Sequence, residues 1–228
     1  MTLQITTSNI EQSMRKSGLR EHQRQFLAKL HGVKKARYIS IEKIKIKVYP
    51  NVFPPATDSK LLARNLKNLK HLKVLDITTG SGVFAVVAGL RGARGLAVDI
   101  NPYAVANAKE NIKKSRVNFK ATQSDLFSKV PKQKFDFILV NGPFSEGEPK
   151  HLLEYAMLGT KKFIANFFKN AKQYLKTSGK ILMVYVGWSE KDFLEKNILS
   201  HGFRFSIVDS MFSKDKKRQY LLYEIKPK

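Results

Sequence analysis

Short apolar runs alternate along most of the chain with segments whose apolar residues recur every three or four positions. The first pattern is typical of buried strands, and the second of helices that bury one face. Strands are predicted at 73–77, 95–100, 117–121, 135–140, 179–186, 203–209 and 218–225, and helices at 82–90, 102–114, 160–176 and 189–200. This order predicts an α/β fold with a doubly wound, Rossmann-like sheet of seven mostly parallel strands. The last two strands are separated only by 213–217, which predicts an antiparallel C-terminal hairpin.

The first 50 residues follow a different pattern. Segment 10–30 places apolar residues at helical spacing among basic ones, which predicts one or two amphipathic helices. Ile44, Ile46 and Val48 alternate with lysines and predict a strand whose lysines either protect a sheet edge or face a polyanion. Prolines then mark a break, after which Thr57 is expected to cap a helix. We therefore expect a small basic helical and β-hairpin extension at 1–50 and a main domain at 51–228.

Charge is the strongest compositional signal. The chain has 42 Lys and Arg against 18 Asp and Glu, a formal net charge of +24. Such an excess of positive charge indicates a polyanionic binding partner and says little about the fold, and RNA is the commonest polyanion. The alternative is a lysine-rich composition that merely solvates the surface.

Several classes are excluded or disfavoured by what the sequence lacks. There is no Cys, so disulfides and Cys-based metal sites are excluded, and the histidines show no metal-binding spacing. No apolar run is long enough to span a bilayer, and the first 20 residues lack the apolar core of a signal peptide. We expect a cytoplasmic protein with no membrane partner and no metal.

A glycine-containing turn follows the predicted strand 73–77, which carries Asp76. Gly80 and Gly82 allow backbone N–H groups to approach a ligand closely. Thr78 stands where the first glycine of a dinucleotide fingerprint would be, and the spacing also differs, so a pyrophosphate cradle is not expected.

Acidic residues follow the next two strands. Asp99 ends the second strand, a place suited to accepting both ribose hydroxyls. Asp125 follows the third strand and is able to accept from an adenine amino group. Each carboxylate alone could be a helix cap, but the set in chain order indicates a nucleoside cofactor.

The fourth strand, 135–140, ends in Asn141-Gly142-Pro143-Phe144. The Asn141 side-chain oxygen and the Gly142 carbonyl can accept the two N–H groups of an amide or an aromatic amine. This grip would favour the pyramidal form of a weakly nucleophilic nitrogen. Pro143 fixes the turn, and Phe144 can stack on the planar group. The alternative is a turn built only of turn-forming residues.

The combined order resembles the class I S-adenosylmethionine-dependent methyltransferases over about residues 51–226. The resemblance implies S-adenosylmethionine as cofactor and makes 51–228 the catalytic domain. Its implied cofactor contacts are Asp76, Thr78, Thr79, Gly80 and Gly82 along methionine and ribose, Asp99 and Ile100 at ribose and adenine, Ser124, Asp125 and Leu126 at adenine, and Asn141.

The tetrad Asn141–Phe144 resembles the Asn-Pro-Pro-Tyr/Phe motif of amino-group methyltransferases. That group includes adenine-N6, guanine-N2 and release-factor glutamine enzymes. The segment containing Thr57 and Asp58 is similar to one that closes over the cofactor in the glutamine and related small-domain enzymes. The sequence departs from the family pattern at two positions. Thr78 replaces a glycine and narrows the cofactor pocket. Gly142 replaces the first proline of the motif, so the loop is less rigid, at a cost of about 0.5–1 kcal/mol in preorganisation.

These features predict N-methylation of a planar amino nitrogen, first of all a base amino group in rRNA or tRNA held by the basic extension. Three alternatives stay open. The substrate could be a glutamine amide in a release-factor-like protein or a small molecule, or the chain could be a binding protein that has lost activity.

Overall fold

The computed structural model of the protein describes residues 21–187 and 191–228. The helices are α1 (Glu21–His31), α2 (Thr57–Arg64), α3 (Val83–Leu90), α4 (Pro102–Ser115), α5 (Thr160–Tyr174) and α6 (Lys191–Ser200). The strands are β1 (Arg37–Ile41), β2 (Ile44–Val48), β3 (Lys73–Ile77), β4 (Arg94–Asp99), β5 (Phe119–Gln123), β6 (Phe135–Val140), β7 (Leu175–Val186), β8 (Phe203–Phe212) and β9 (Gln219–Pro227). The helical prediction for 10–20, and Trp188 with the first residues of the helix predicted at 189–200, lie outside the described residues.

Seven strands form one sheet in the order β5-β4-β3-β6-β7-β9-β8. Strands β3 to β7 pair in parallel, whereas β9 pairs antiparallel to both β7 and β8. The predicted doubly wound sheet with an antiparallel C-terminal hairpin is therefore confirmed. The chain winds outward from β3 to β5 and then returns to place β6 beside β3. Ligands bind at such a switch point, outside the carboxyl ends of the strands.

Two apolar layers cover the sheet. On one face α2, α3 and α4 pack with the β1–β2 hairpin, and on the other face α5 and α6 pack against the strands. Ile41, Ile46 and Val48 of the hairpin are buried in the first layer. Leu27 and Leu30 of α1 are buried against Leu153 and Leu158, which lie in the segment after β6. Residues on both sides of the boundary predicted at residue 50 thus share cores, and that boundary stays a prediction.

Two buried asparagines on α4 hold β2 in place. Asn107 accepts from the Tyr49 N–H at 2.9 Å, and Asn111 accepts from the Lys47 N–H at 3.2 Å. Both side-chain amides donate to the Lys47 carbonyl, at 2.9 and 2.7 Å. The two asparagine side chains therefore make the hydrogen bonds that a neighbouring strand would make along the edge of β2. They satisfy backbone groups that burial would otherwise leave unpaired.

Several local predictions differ from the structure. Strand β7 begins at Leu175, inside the helix predicted at 160–176, and β8 extends to Phe212 rather than to 209. Strand β5 begins at Phe119 rather than at 117, because the chain leaves α4 through Arg116 at φ 54° and the Val117 N–H still bonds Ile112. Thr57 does not cap α2, because it is already the first helical residue and Ala56 is the cap position. The Ser59 hydroxyl accepts the Ala56 N–H at 3.3 Å. Among the described residues, no helix is long and apolar enough to cross a membrane.

Candidate active site

A cavity of about 720 Å³ lies at the carboxyl ends of β3, β4 and β6. Most of the predicted site residues line it. They are Thr57, Asp58, Thr78, Thr79, Gly80, Asp99, Ile100, Asn141, Gly142, Pro143 and Phe144. Asp76, Gly82, Ser124, Asp125 and Leu126 are not among the lining residues. The cavity thus joins the predicted cofactor residues of three segments to the predicted chemical motif.

The turn after β3 is built from left-handed backbone. Thr78, Gly80 and Gly82 have φ of 65°, 54° and 80°. A Cβ on Gly80 would come no closer than 4.0 Å to any neighbouring atom, so its backbone faces open cavity and lets a ligand approach. A Cβ on Gly82 would lie 2.9 Å from Ala108, so this glycine serves the packing of α3 on α4. Thr78 occupies a conformation that costs a β-branched residue about 1–2 kcal/mol.

Asp76 supports this turn from beneath. Its side chain is fully buried, and Oδ2 accepts from the Thr79 hydroxyl at 2.5 Å and from the Ala85 N–H at 3.2 Å. Oδ1 has no hydrogen-bond partner among the described residues. Burial raises the pKa of Asp76 to about 7. Asp76 therefore orders the loop under the cavity rather than facing a ligand.

Asp99 faces the cavity from the end of β4. Its oxygens accept the Gly80 N–H at 2.8 Å and the Asn101 N–H at 2.9 Å. These bonds fix the carboxylate, and each oxygen keeps acceptor capacity for a further donor. Burial raises the pKa of Asp99, and the two backbone donors oppose that rise. A fixed acceptor beside an open glycine turn fits a ribose with two hydroxyls.

The segment after β5 is not brought into the cavity. The Ser124 hydroxyl donates to the Leu126 carbonyl at 2.8 Å and accepts from the Lys129 N–H at 2.9 Å, so it closes its own turn. Asp125 is exposed. The adenine contact implied for this segment stays a prediction.

The Asn141 amide is held in one orientation. Its Nδ2 donates to Asp58 Oδ2 at 2.7 Å and lies 3.5 Å from the Ser59 hydroxyl. Burial raises the pKa of Asp58, and the hydrogen bond from Asn141 opposes this rise. Asn141 Oδ1 is buried and has no hydrogen-bond partner among the described residues. An acceptor is therefore left unused at the cavity, where a ligand N–H group can satisfy it.

Gly142 is required by packing. A Cβ at this position would lie 2.7 Å from Cε1 of the Phe163 ring, so a proline could not fit without displacing that ring. The Thr78 hydroxyl lies within hydrogen-bond distance of the Ile77 carbonyl and, at 3.1 Å, of the Asn141 carbonyl, and its one proton serves one of them at a time. The contact with Asn141 brings the motif next to the turn after β3. The ring of Phe144 meets Tyr185 and Tyr220 at centroid distances of 6.0 and 6.1 Å. The tetrad is thus fixed from three sides despite the glycine.

Other lining residues were not predicted as site residues. Helix α1 contributes Gln23, Phe26 and Lys29, and the β8–β9 turn contributes Lys214 and Arg218. The cationic turn is visible in the sequence, but nothing local shows that it returns to the cavity. Within residues 21–187 and 191–228, no group of His, Asp and Glu side chains is arranged to hold a metal ion.

The sheet order and the cavity at its switch point are typical of α/β proteins that bind a cofactor there, and comparison with known proteins gives the family. The profile of the methyltransferase small domain matches residues 43–205, so the chain belongs to that family. It is an S-adenosylmethionine-dependent methyltransferase.

Two relatives differ in the substrates their names give. A Methanocaldococcus jannaschii protein, provisionally named a protein N5-glutamine methyltransferase, is 39% identical over 178 residues, which are 74% of this chain and 89% of that protein. The ribosomal RNA small subunit methyltransferase C of Photorhabdus laumondii is 29% identical over 168 residues. That match covers 71% of this chain and 46% of the relative, so the chain spans less than half of the RNA enzyme.

Solved structures show the same fold at low identity. The T. thermophilus 16S rRNA N2 G1207 methyltransferase, solved with AdoMet and guanosine, has a TM-score of 0.63 at 17% identity, covering 85% of this chain and 50% of that one. The ribosomal protein L11 methylase of Lactobacillus delbrueckii has a TM-score of 0.59 at 21% identity, covering 83% and 90%.

Replacing Asp76 by Asn should change the pH dependence of stability. From about pH 4 to pH 7 the folded chain keeps a proton that the unfolded chain has released, so wild-type stability falls as pH rises across this window. Asp76→Asn removes this titration and keeps the acceptor for Thr79 and Ala85. Its free energy of unfolding should rise relative to wild type by up to about 4 kcal/mol across the window.

Urea unfolding on both sides of that window measures this difference. The exposed carboxylate of Asp192 provides the matched control, Asp192→Asn. If the Asp76→Asn and wild-type stability curves stay parallel with pH, Asp76 does not hold its proton in the fold.

Gly142→Ala should destabilise the protein by about 1–3 kcal/mol, because the new Cβ would clash with the Phe163 ring. Phe163→Leu in the same chain should recover part of this loss in a double-mutant cycle of urea unfolding. Gly187→Ala is the control, since its nearest neighbouring atom is 3.5 Å away. Additive effects of the two substitutions would contradict the steric explanation.

Proposed function

We propose that the protein methylates a planar amino nitrogen. The observation that carries this proposal is the buried, unpartnered Asn141 Oδ1 at the cavity. Its Nδ2 is held by Asp58, so the oxygen is the atom of this amide that has no partner among the described residues. A carbonyl-type acceptor that is desolvated and fixed selects an N–H donor.

The roles of the other motif residues follow from this grip. The Gly142 carbonyl supplies the second acceptor, and the buried Pro143 limits movement of the turn. Phe144, packed against Tyr185 and Tyr220, offers a fixed ring to a planar group. Holding the nitrogen in line with the methyl group would be the main catalytic contribution of these residues. The tetrad has no ionisable side chain, so the proton that the methylated nitrogen gives up would pass to solvent.

In the cofactor half of the cavity, we assign Asp99 to the ribose hydroxyls, with Ile100 beside adenine. We place Gly80 beneath the methionine part and the segment of Thr57 and Asp58 over it. When bound, S-adenosylmethionine supplies a methyl group carried on a positively charged sulfur. Two features support this placement: the Asp99 carboxylate is already fixed by backbone donors, and the space above Gly80 is open.

The substrate we favour is an exocyclic amino group of a base in RNA. A net charge of +24 supports a polyanionic partner. Three cations line the cavity itself, namely Lys29, Lys214 and Arg218. A base would reach Asn141 only if unpaired or flipped out of a helix.

A glutamine side chain in a protein is the second candidate. The 39% identical relative named as a protein N5-glutamine methyltransferase favours it. A primary amide is also planar and carries two N–H groups, so the same grip would serve.

Asn141→Ala should abolish methyl transfer while leaving cofactor affinity within about twofold, because the lost oxygen holds the substrate nitrogen. Turnover is measured by transfer of a tritiated methyl group, and cofactor affinity by calorimetry with S-adenosylhomocysteine. The exposed Asn118, which lies outside the cavity, gives the control Asn118→Ala. Normal turnover by Asn141→Ala would refute the grip.

The two substrate classes are separated by incubating the protein and tritiated cofactor with total RNA and, in parallel, with purified release factors. We expect label in RNA. Label in the release factors alone would overturn the RNA assignment and support the glutamine candidate.

A further inference from the structure

Two elements outside the ends of the parallel strands also line the cavity. Helix α1 contributes Gln23, Phe26 and Lys29, which recur every three residues and so share one face. The neighbouring Leu27 and Leu30 are buried and fix the helix to the segment after β6. The Gln23 amide also donates to the Ser145 hydroxyl at 2.7 Å, next to the catalytic tetrad.

The other element is the turn between β8 and β9. Lys214 and Arg218 line the cavity, and Lys216 and Lys217 are exposed on the same turn. Ser213 closes this turn, since its N–H donates to the Arg218 carbonyl at 2.8 Å and its hydroxyl accepts the Arg218 N–H at 3.0 Å. The cations therefore project from a hydrogen-bonded loop.

Apolar rings are exposed where these elements meet the cavity. Phe26 is 40% exposed and Tyr155 is 43% exposed, although both are large hydrophobic side chains at the lining. Phe26 packs edge-on against Phe53 at 5.6 Å between ring centroids, so its position is fixed. Exposed rings fixed at a cavity suit stacking on planar bases.

The cations of this surface are not held in ion pairs by carboxylates, although Arg218 hydrogen-bonds the Tyr220 side chain and lies near Asp215. Among the described residues, Lys29, Lys214 and Arg218 form no ion pair with a carboxylate. Asp215 is the acid on the same turn, and its carboxylate accepts from the Ser213 hydroxyl and the Lys217 N–H. Cations and exposed rings that line the same cavity suit the phosphates and bases of a single strand.

We propose that α1 and the β8–β9 turn form a docking surface for single-stranded RNA. Lys29 and the turn cations Lys214 and Arg218 contact phosphates on either side of the cavity. Phe26 and Tyr155 stack on the bases that flank the one inserted toward Asn141. This inference rests on the proposed function and adds which residues hold the strand.

The test compares two triple charge reversals with the same net change. Lys29→Glu, Lys214→Glu and Arg218→Glu alter the docking surface. Lys113→Glu, Lys120→Glu and Lys132→Glu alter exposed lysines that do not line the cavity. Affinity is measured by fluorescence anisotropy with a labelled single-stranded RNA of about twelve nucleotides across a range of salt concentrations.

The docking-surface triple should weaken binding about thirtyfold or more and reduce the slope of log affinity against log salt by about 2, since three phosphate contacts are lost. The control triple should weaken binding less than about threefold. Phe26→Leu and Tyr155→Leu keep apolar packing but lose stacking, and each should cost about fivefold or more in affinity at high salt. Unchanged affinity for S-adenosylhomocysteine shows that each variant is folded.

Equal weakening by both triples would show that binding follows net charge, and would overturn the docking surface. Equal affinity for duplex RNA of the same sequence would overturn the single-strand assignment. Absence of any RNA binding would overturn the docking surface as a whole. These measurements involve no methyl transfer, so the docking surface can fail while Asn141 remains essential for turnover, and the two proposals are tested separately.

Discussion

The hydrogen bond from Asn141 to Asp58 joins segments 83 residues apart in the sequence, and the geometry of the site depends on it. Asn141 follows directly after β6, whereas Asp58 lies in the first turn of α2, so the bond forms only when the sheet and its covering helix are assembled. It fixes the orientation of the amide. An ionised Asp58 carboxylate accepts and does not donate, so Nδ2 faces Asp58, and Oδ1 has no hydrogen-bond partner among the described residues.

The glycine turn and the tetrad constrain one another across the same switch point. Asp76 orders the turn from below, and the Thr78 hydroxyl bonds the Asn141 carbonyl. Residues after the tetrad are held as firmly, since buried Glu154 accepts the Lys150 N–H at 2.6 Å and the Ser145 N–H bonds the Met157 carbonyl. Because the segment after the tetrad is already ordered, substrate binding energy can be used to align the reacting nitrogen rather than to order the loop.

Much of the fold follows from local pattern. Nearly continuous apolar strands such as β3 and β6 require cover on both faces, and their alternation with helices implies parallel pairing. The motif residues that line the cavity, such as Asp99 and Asn141, were also predictable, because each follows a strand and parallel strands end at one edge. Asp125 follows a strand in the same way, yet it lies exposed on its own turn. A position at the end of a strand is therefore not sufficient for reaching the cavity, and residues of helices α1 and α2 reach it without one.

Local sequence patterns were enough to predict the mostly parallel seven-stranded sheet, its C-terminal hairpin and a methyltransferase, because these depend on periodicity and on residues adjacent in the chain. The three-dimensional packing alone shows that Gly142 makes room for Phe163, that Asp76 is buried beneath the turn, and that α1 and the β8–β9 turn meet at one cavity. Those facts depend on contacts between residues distant in sequence, and no local pattern encodes which side chains long-range packing brings together.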